Sequence, residues 1–134
     1  MFATLFFGVL NPSTGKMTYI NGGHEPPVVI GPRGLKESLK KTGPAVGMMP
    51  RVDFKIRQIQ LEPGDTLIGY TDGVTEALSP DNRLFTKKRF LKILEKPAST
   101  ASELVERIKT TLYDHIGNAP QFDDITMLAV YREE

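Results

Sequence analysis

The chain has 134 residues, 40% apolar and 25% charged, with 17 Lys and Arg against 16 Asp and Glu. That size and mix describe one domain, residues 1–134, large enough to bury a core. A net charge of +1 gives no reason to expect nucleic acid or an anionic membrane as a partner. The absence of cysteine excludes a disulfide framework and a thiolate zinc site, and fits a reducing, cytoplasmic setting. No apolar run approaches the roughly 20 residues that span a bilayer, and the opening "MFATLFFGVLN" has no basic flank and is too short for a signal peptide.

In chain order, Thr4 to Leu10 is an apolar run closed by the turn signal "NPSTG". Lys16 to Asn21 alternates, with Met17, Tyr19 and Asn21 on one face, so the two segments predict a hairpin. After "NGGHEPP", the short strand "PVVIG", the turn "GPRG" and Leu35 to Lys40 predict a second hairpin. "KTGPAVGMMPR" reads as a loop by its Gly and Pro content. "VDFKIRQIQL" alternates as a strand, but its apolar phase slips from Val52, Phe54 and Ile56 to Ile59 and Leu61, which predicts a bulge or twist. "EPGD" then turns the chain into a buried strand, Thr66 to Tyr70. An antiparallel sheet is expected for this first half. The period then changes. Lys87 to Glu95 places Phe90, Leu91 and Leu94 at helical spacing. Thr100 to Gly117 carries a capping box, Thr100 with Glu103, an apolar stripe of Leu104, Ile108, Leu112 and His115 or Ile116, and a glycine stop. The loop "NAPQFDD" leads to a last strand, Ile125 to Tyr131. The layout is α+β, antiparallel strands with helices packed on a face.

Two acidic sites interrupt strand-like runs. Asp72 follows the buried strand ending at Tyr70, with Gly73 next to it. Asp123 and Asp124 precede the last strand. Carboxylates brought to the same end of neighbouring strands repel, and protons or cations between them relieve the repulsion. Hard divalent ions take such oxygen ligands and orient a water against a phosphoryl group. Equally, Asp-Gly is a common turn dipeptide and an Asp-Asp pair is ordinary loop material, so spacing alone leaves both readings open. His24 has two readings as well: a neutral imidazole suited to proton transfer, or a turn residue whose ring bonds the backbone beside Gly22 and Gly23. His115, near the end of the long helix, is expected to face the helix dipole or solvent.

Four blocks in order across the chain carry a resemblance. "FATLFFGVLNPSTGKMTYINGGHEPPVVI", "GPAVGMMP", "LEPGDTLIGYTDGVTEA" and "DDITMLAV" resemble the bacterial branch of the PPM (PP2C-type) serine/threonine phosphatases, the SpoIIE and RsbU-like group. The resemblance implies a PP2C-like antiparallel β-sandwich with helices on its outer faces. It implies Asp72 and Asp123 as catalytic metal ligands for Mn²⁺ or Mg²⁺, with Gly73, Asp124 and His24 behind them. It implies metal-assisted hydrolysis of phosphoserine or phosphothreonine on a phosphorylated regulatory protein, such as an anti-sigma-factor antagonist, in a bacterial signal-transduction setting.

One departure matters. The family's catalytic domains open with a "G-D-x-x-G-x-G" type motif whose aspartate bridges two metals, and nothing in this chain matches it. The resemblance therefore describes an N-terminally truncated domain with an incomplete metal site, impaired in turnover. A non-catalytic interaction or scaffold domain is the competing expectation. Such a sheet would expose a strand edge at "TLFFGVL", which is uncharged and free of proline, and a homo-oligomer through that edge is expected.

Overall fold

The computed structural model describes residues 1–121 and 123–134; within the loop expected over 118–124, Phe122 lies outside the described residues. The strands form two antiparallel sheets, as the β-sandwich implied by the resemblance requires; the antiparallel sheet read from the pattern of the first half is divided between them. In the first, β1 (Leu5–Leu10) and β2 (Lys16–Gly22) make the expected hairpin, and β5 (Arg57–Gln60) pairs with the other side of β2. In the second, β3 (Val28–Gly31) and β4 (Gly34–Ser38) make the other hairpin, continued by β6 (Thr66–Tyr70) and β7 (Met127–Tyr131) in the order β4-β3-β6-β7. The two hairpins thus separate into different sheets, because β5 completes one and β6 the other.

The phase slip in "VDFKIRQIQL" is the place where the strand begins. Only Arg57–Gln60 pairs, turning Ile59 inward, while Ile56 is 71% exposed. Phe54 instead packs its ring over Gly22 and Gly43. The last strand likewise starts two residues later than expected, at Met127.

Between the sheets lie Met17, Tyr19 and Ile59 against Val29, Leu39 and Leu61. The opposite face of the four-stranded sheet presents Val28, Ile30, Ile68 and Tyr70 to the helices. There α2 (Lys87–Ile93) supplies Phe90, and α3 (Ala101–Ile116) supplies Leu104, Ile108, Leu112 and Ile116. Ile116, not His115, is the fourth member of the stripe. Each such buried side chain contributes about 1.5–3 kcal/mol, so packing rather than intrinsic propensity holds α3. The α3 cap is the expected one: Thr100 Oγ1 accepts from Glu103 N at 3.0 Å, and the Glu103 carboxylate returns to Ser99 N at 3.0 Å, one residue earlier than the usual box. His115 does not face solvent or the dipole alone. Its Nε2 pairs with the Arg83 carbonyl at 2.9 Å, its Nδ1 with Arg89 at 2.8 Å, and its ring meets Phe85 edge-on. It clamps the 77–86 loop and α2 onto α3.

Helices cover the outer face of one sheet. Among the described residues none covers the outer face of the other, where Leu5, Phe7 and Val9 are 43%, 57% and 60% exposed. β1 is also the outermost strand of its sheet. Phe6 points the other way and stacks on Tyr19 with ring centroids 5.4 Å apart.

Candidate functional site

Strand register brings distant segments to one end of the sandwich. Val28, where β3 starts, pairs with Ile68 at the middle of β6, so that Tyr70 extends beyond it, and with Ser38 at the end of β4. Tyr70 at the end of β6 pairs with Met127 at the start of β7, and Leu5 at the start of β1 pairs with Gly22 at the end of β2. Thr4, the 23–25 turn, Lys41, Thr71–Asp72 and Asp123 therefore meet at the same rim. Together they line a cleft of about 230 Å³.

Asp72 and Asp123 both line this cleft. Thr71 precedes the one-turn helix α1 (Asp72–Thr75) and has extended backbone, so Asp72 projects from the first turn just beyond the sheet. Asp123 lies in the loop before β7, and one of its carboxylate oxygens accepts from Asp124 N at 2.8 Å. The two segments are stitched together by Thr71. Its N–H donates to the Thr126 carbonyl at 3.1 Å, its hydroxyl donates to the Asp124 carbonyl at 3.2 Å, and that hydroxyl accepts from Thr126 N at 3.2 Å. Gly73 explains how they come so close. A Cβ on it would stand 2.0 Å from the Asp124 carbonyl oxygen and 2.8 Å from the carbonyl carbon. Gly73 is thus required by packing against Asp124, a more specific reason than turning the chain. Asp124 takes part through its backbone; its side chain is exposed.

The opposite wall rests on Asn21. Its side chain is fully buried; Nδ2 donates to the Leu39 carbonyl at 3.0 Å, and Oδ1 accepts from His24 N at 2.8 Å. Its backbone N–H donates to the Thr42 hydroxyl at 2.9 Å, and its carbonyl accepts from Thr42 N at 2.8 Å and Gly43 N at 3.2 Å. Gly23, at φ 72° and pressed against Ala45, makes the turn that follows. The His24 ring therefore faces the cleft, with Nδ1 3.1 Å from the Thr4 hydroxyl rather than on the backbone.

Two charged residues of the cleft escaped the sequence reading. Glu25 accepts from the buried Tyr70 hydroxyl at 3.3 Å and pairs with Lys87 at 3.4 Å, which ties the turn to β6 and α2. Burial first, then the Glu25 charge and hydrogen bond and the Asp72 charge, push the Tyr70 phenol well above its ordinary range. Lys41 lines the cleft from the loop after β4. The proline-rich setting of Glu25 and the loop setting of Lys41 carried no periodic signal; only the register collects them. Glu76, by contrast, ends α1 and lines a smaller neighbouring hollow with Gly73 and Asp123.

As a donor set, the cleft suits a hard cation in kind and falls short in number. Carboxylate oxygens are the right chemistry, but among the described residues no three His, Asp or Glu side chains come together as a metal-holding group.

A family model described as Stage II sporulation protein E (SpoIIE) matches residues 1–133. Protein IcfG of Synechocystis sp. is 52% identical over 132 residues, covering 98% of this chain and 21% of that protein. The phosphoserine phosphatase RsbU of Bacillus subtilis is 29% identical over 138 residues, covering 99% of this chain and 40% of RsbU. The chain thus spans well under half the length of these curated relatives. The Mn-presoaked phosphatase domain of SpoIIE from Bacillus subtilis superposes with a TM-score of 0.73 at 15% identity, covering 98% of this chain and 57% of that one. At that identity the likeness concerns the fold: a PP2C-like α+β architecture of two antiparallel sheets with helices.

Proposed function

The chain belongs to the Stage II sporulation protein E (SpoIIE) family of PP2C-type phosphatases, and from that membership we propose that it carries the metal-binding end of a protein serine/threonine phosphatase domain. The substrate in this reading is phosphoserine or phosphothreonine on a regulatory partner protein, such as an anti-sigma-factor antagonist, in the cytoplasm. The observation that supports it is the convergence of Asp72 and Asp123 on one cleft that also holds His24, Thr4 and Lys41. The carboxylates would hold Mn²⁺ or Mg²⁺, whose chemistry is to acidify water and orient it against a phosphoryl group. His24, set by Asn21 and bonded to Thr4, stands where an imidazole can exchange a proton with a leaving alkoxide. Thr71 and Gly73 hold the two acidic segments in contact.

Two carboxylates are fewer than two-metal chemistry uses. Isolated, this chain should bind Mn²⁺ more weakly than micromolar by calorimetry, and hydrolyse a phosphoserine peptide slowly or not at all. Asp72→Asn and Asp123→Asn should each abolish the residual binding. Unchanged Mn²⁺ affinity in both variants would refute the shared site. The small donor set also favours a second reading, a non-catalytic interaction domain. Robust Mn²⁺-dependent turnover that is lost in Asp123→Asn would end that alternative.

A further inference from the structure

Three carboxylates, Asp72, Asp123 and Glu25, line the cleft, and a phosphoryl dianion entering it meets their combined repulsion. Glu25 is engaged by Tyr70 and Lys87. The cation in the lining is Lys41. Among the described residues it makes no ion pair, whereas Lys36, Lys87, Arg83 and Arg107 do.

The loop that carries Lys41 is anchored on both sides. The Asn21 side-chain Nδ2 donates to the carbonyl of Leu39, two residues before Lys41, and the Asn21 main-chain carbonyl accepts from the backbone N–H groups of Thr42 and Gly43 just after it. The same Asn21 side chain accepts from His24 N. One fully buried residue, through its side chain and main chain together, therefore sets the backbone that carries the imidazole and the loop that carries the ammonium on the wall facing the acidic segments. A buried polar side chain with both ends bonded is costly to misplace, so the backbone positions from which the two side chains reach into the cleft are fixed before any ligand arrives. Lys40, also exposed, is next in sequence but is not part of the cleft lining.

We propose that Lys41 is a specificity-determining residue that binds the phosphoryl oxygens of the substrate, positioned for that task by Asn21. The proposal rests on the phosphatase reading for the identity of its ligand, but its test is a binding measurement. An ammonium–phosphate contact is charge-assisted and local, stronger than an ordinary hydrogen bond. The groups it recognises are phosphoryl oxygens, whether on a serine phosphate or on free phosphate.

The experiment is fluorescence anisotropy with Mg²⁺ present, using a labelled peptide that bears a non-hydrolysable phosphonate in place of phosphoserine. Inorganic phosphate serves as competitor and the serine peptide as control. Lys41→Gln should weaken both the phosphonate peptide and inorganic phosphate about tenfold, Lys41→Arg should stay within about threefold, and Lys40→Gln should match the wild type. Asn21→Asp, similar in size but unable to donate to the Leu39 carbonyl, should weaken binding in the same direction while circular dichroism reports a folded chain. Preference for the phosphonate peptide over free phosphate would identify a phosphoprotein as the source, and the reverse would identify free phosphate. Equal binding of phosphonate and serine peptides to the wild type would overturn the proposal. So would no binding of either, Lys41→Gln at wild-type affinity, or an equal loss in Lys40→Gln. Lys41-dependent binding without any hydrolysis of the true phosphopeptide would sink the phosphatase reading and leave this assignment standing.

Discussion

Replacing Gly73 by alanine tests the junction on which the acidic cleft depends. The added Cβ would sit 2.0 Å from the Asp124 carbonyl oxygen, where ordinary contact begins at 3.4 Å. The two segments must part by about 1.4 Å to relieve it. That opening is longer than the Thr71 bonds tolerate: contacts of 3.1–3.2 Å to Thr126 and Asp124 would stretch beyond hydrogen-bonding distance. Overpacking against backbone costs about 1–3 kcal/mol, and each stitching bond lost adds about 1 kcal/mol. Alanine recovers up to about 1 kcal/mol of helix propensity in the single turn of α1. The net expectation is a loss of about 3–5 kcal/mol, read in urea unfolding as a lower midpoint with the same slope. Gly69 is the control: a Cβ there meets nothing within 4 Å, so Gly69→Ala should be neutral or slightly stabilising. Divalent binding should vanish in Gly73→Ala and persist in Gly69→Ala. A Gly73→Ala variant as stable as the wild type to within about 0.5 kcal/mol would refute the close-approach argument.

Tyr70→Phe should change the alkaline limb of the stability curve. The folded phenol is held above its ordinary value, so its contribution is fully present below about pH 10 and is lost as pH rises further. The variant's urea midpoint should therefore fall less steeply above about pH 10 than the wild type's, and parallel curves would show that the hydroxyl is not held neutral by the fold. Thr100→Ala removes the cap that accepts from Glu103 N and should lower stability by about 1 kcal/mol in the same assay; no change would mean that α3 frays at that end. For association through the open edge of β1, the informative position is the exposed Phe7 and not the inward Phe6. We expect sedimentation velocity to show a concentration-dependent dimer that Phe7→Lys dissociates, and a strict monomer at high concentration would end that expectation.

The sequence by itself determined the local elements whose signals are short in range. Period-2 alternation gave β2, the Thr100 cap and apolar stripe gave α3, and the acidic residues beside Gly73 and before the last strand stood out as two candidate segments. Each depends on neighbours within a few residues, so residue order is enough to specify it. The division into two sheets was decided elsewhere. β5 pairing with β2, and β6 with β3, are long-range choices made by which apolar faces bury together, and alternation looks the same in either sheet. The start of β5 was settled in the same way, by Phe54 packing over Gly22 and Gly43. The cleft shows the limit most clearly. The sequence settings of Asp72 and Asp123 marked them as candidates but left ligand and turn residue both open, whereas Glu25 and Lys41 join them because antiparallel register carries the ends of β2, β4 and β6 to one rim. Likewise His115 looked like a solvent-facing helix end until the 77–86 loop and α2 closed over it. A side chain's charge and size are written in the sequence, but which groups surround it is fixed only when the sheets pack.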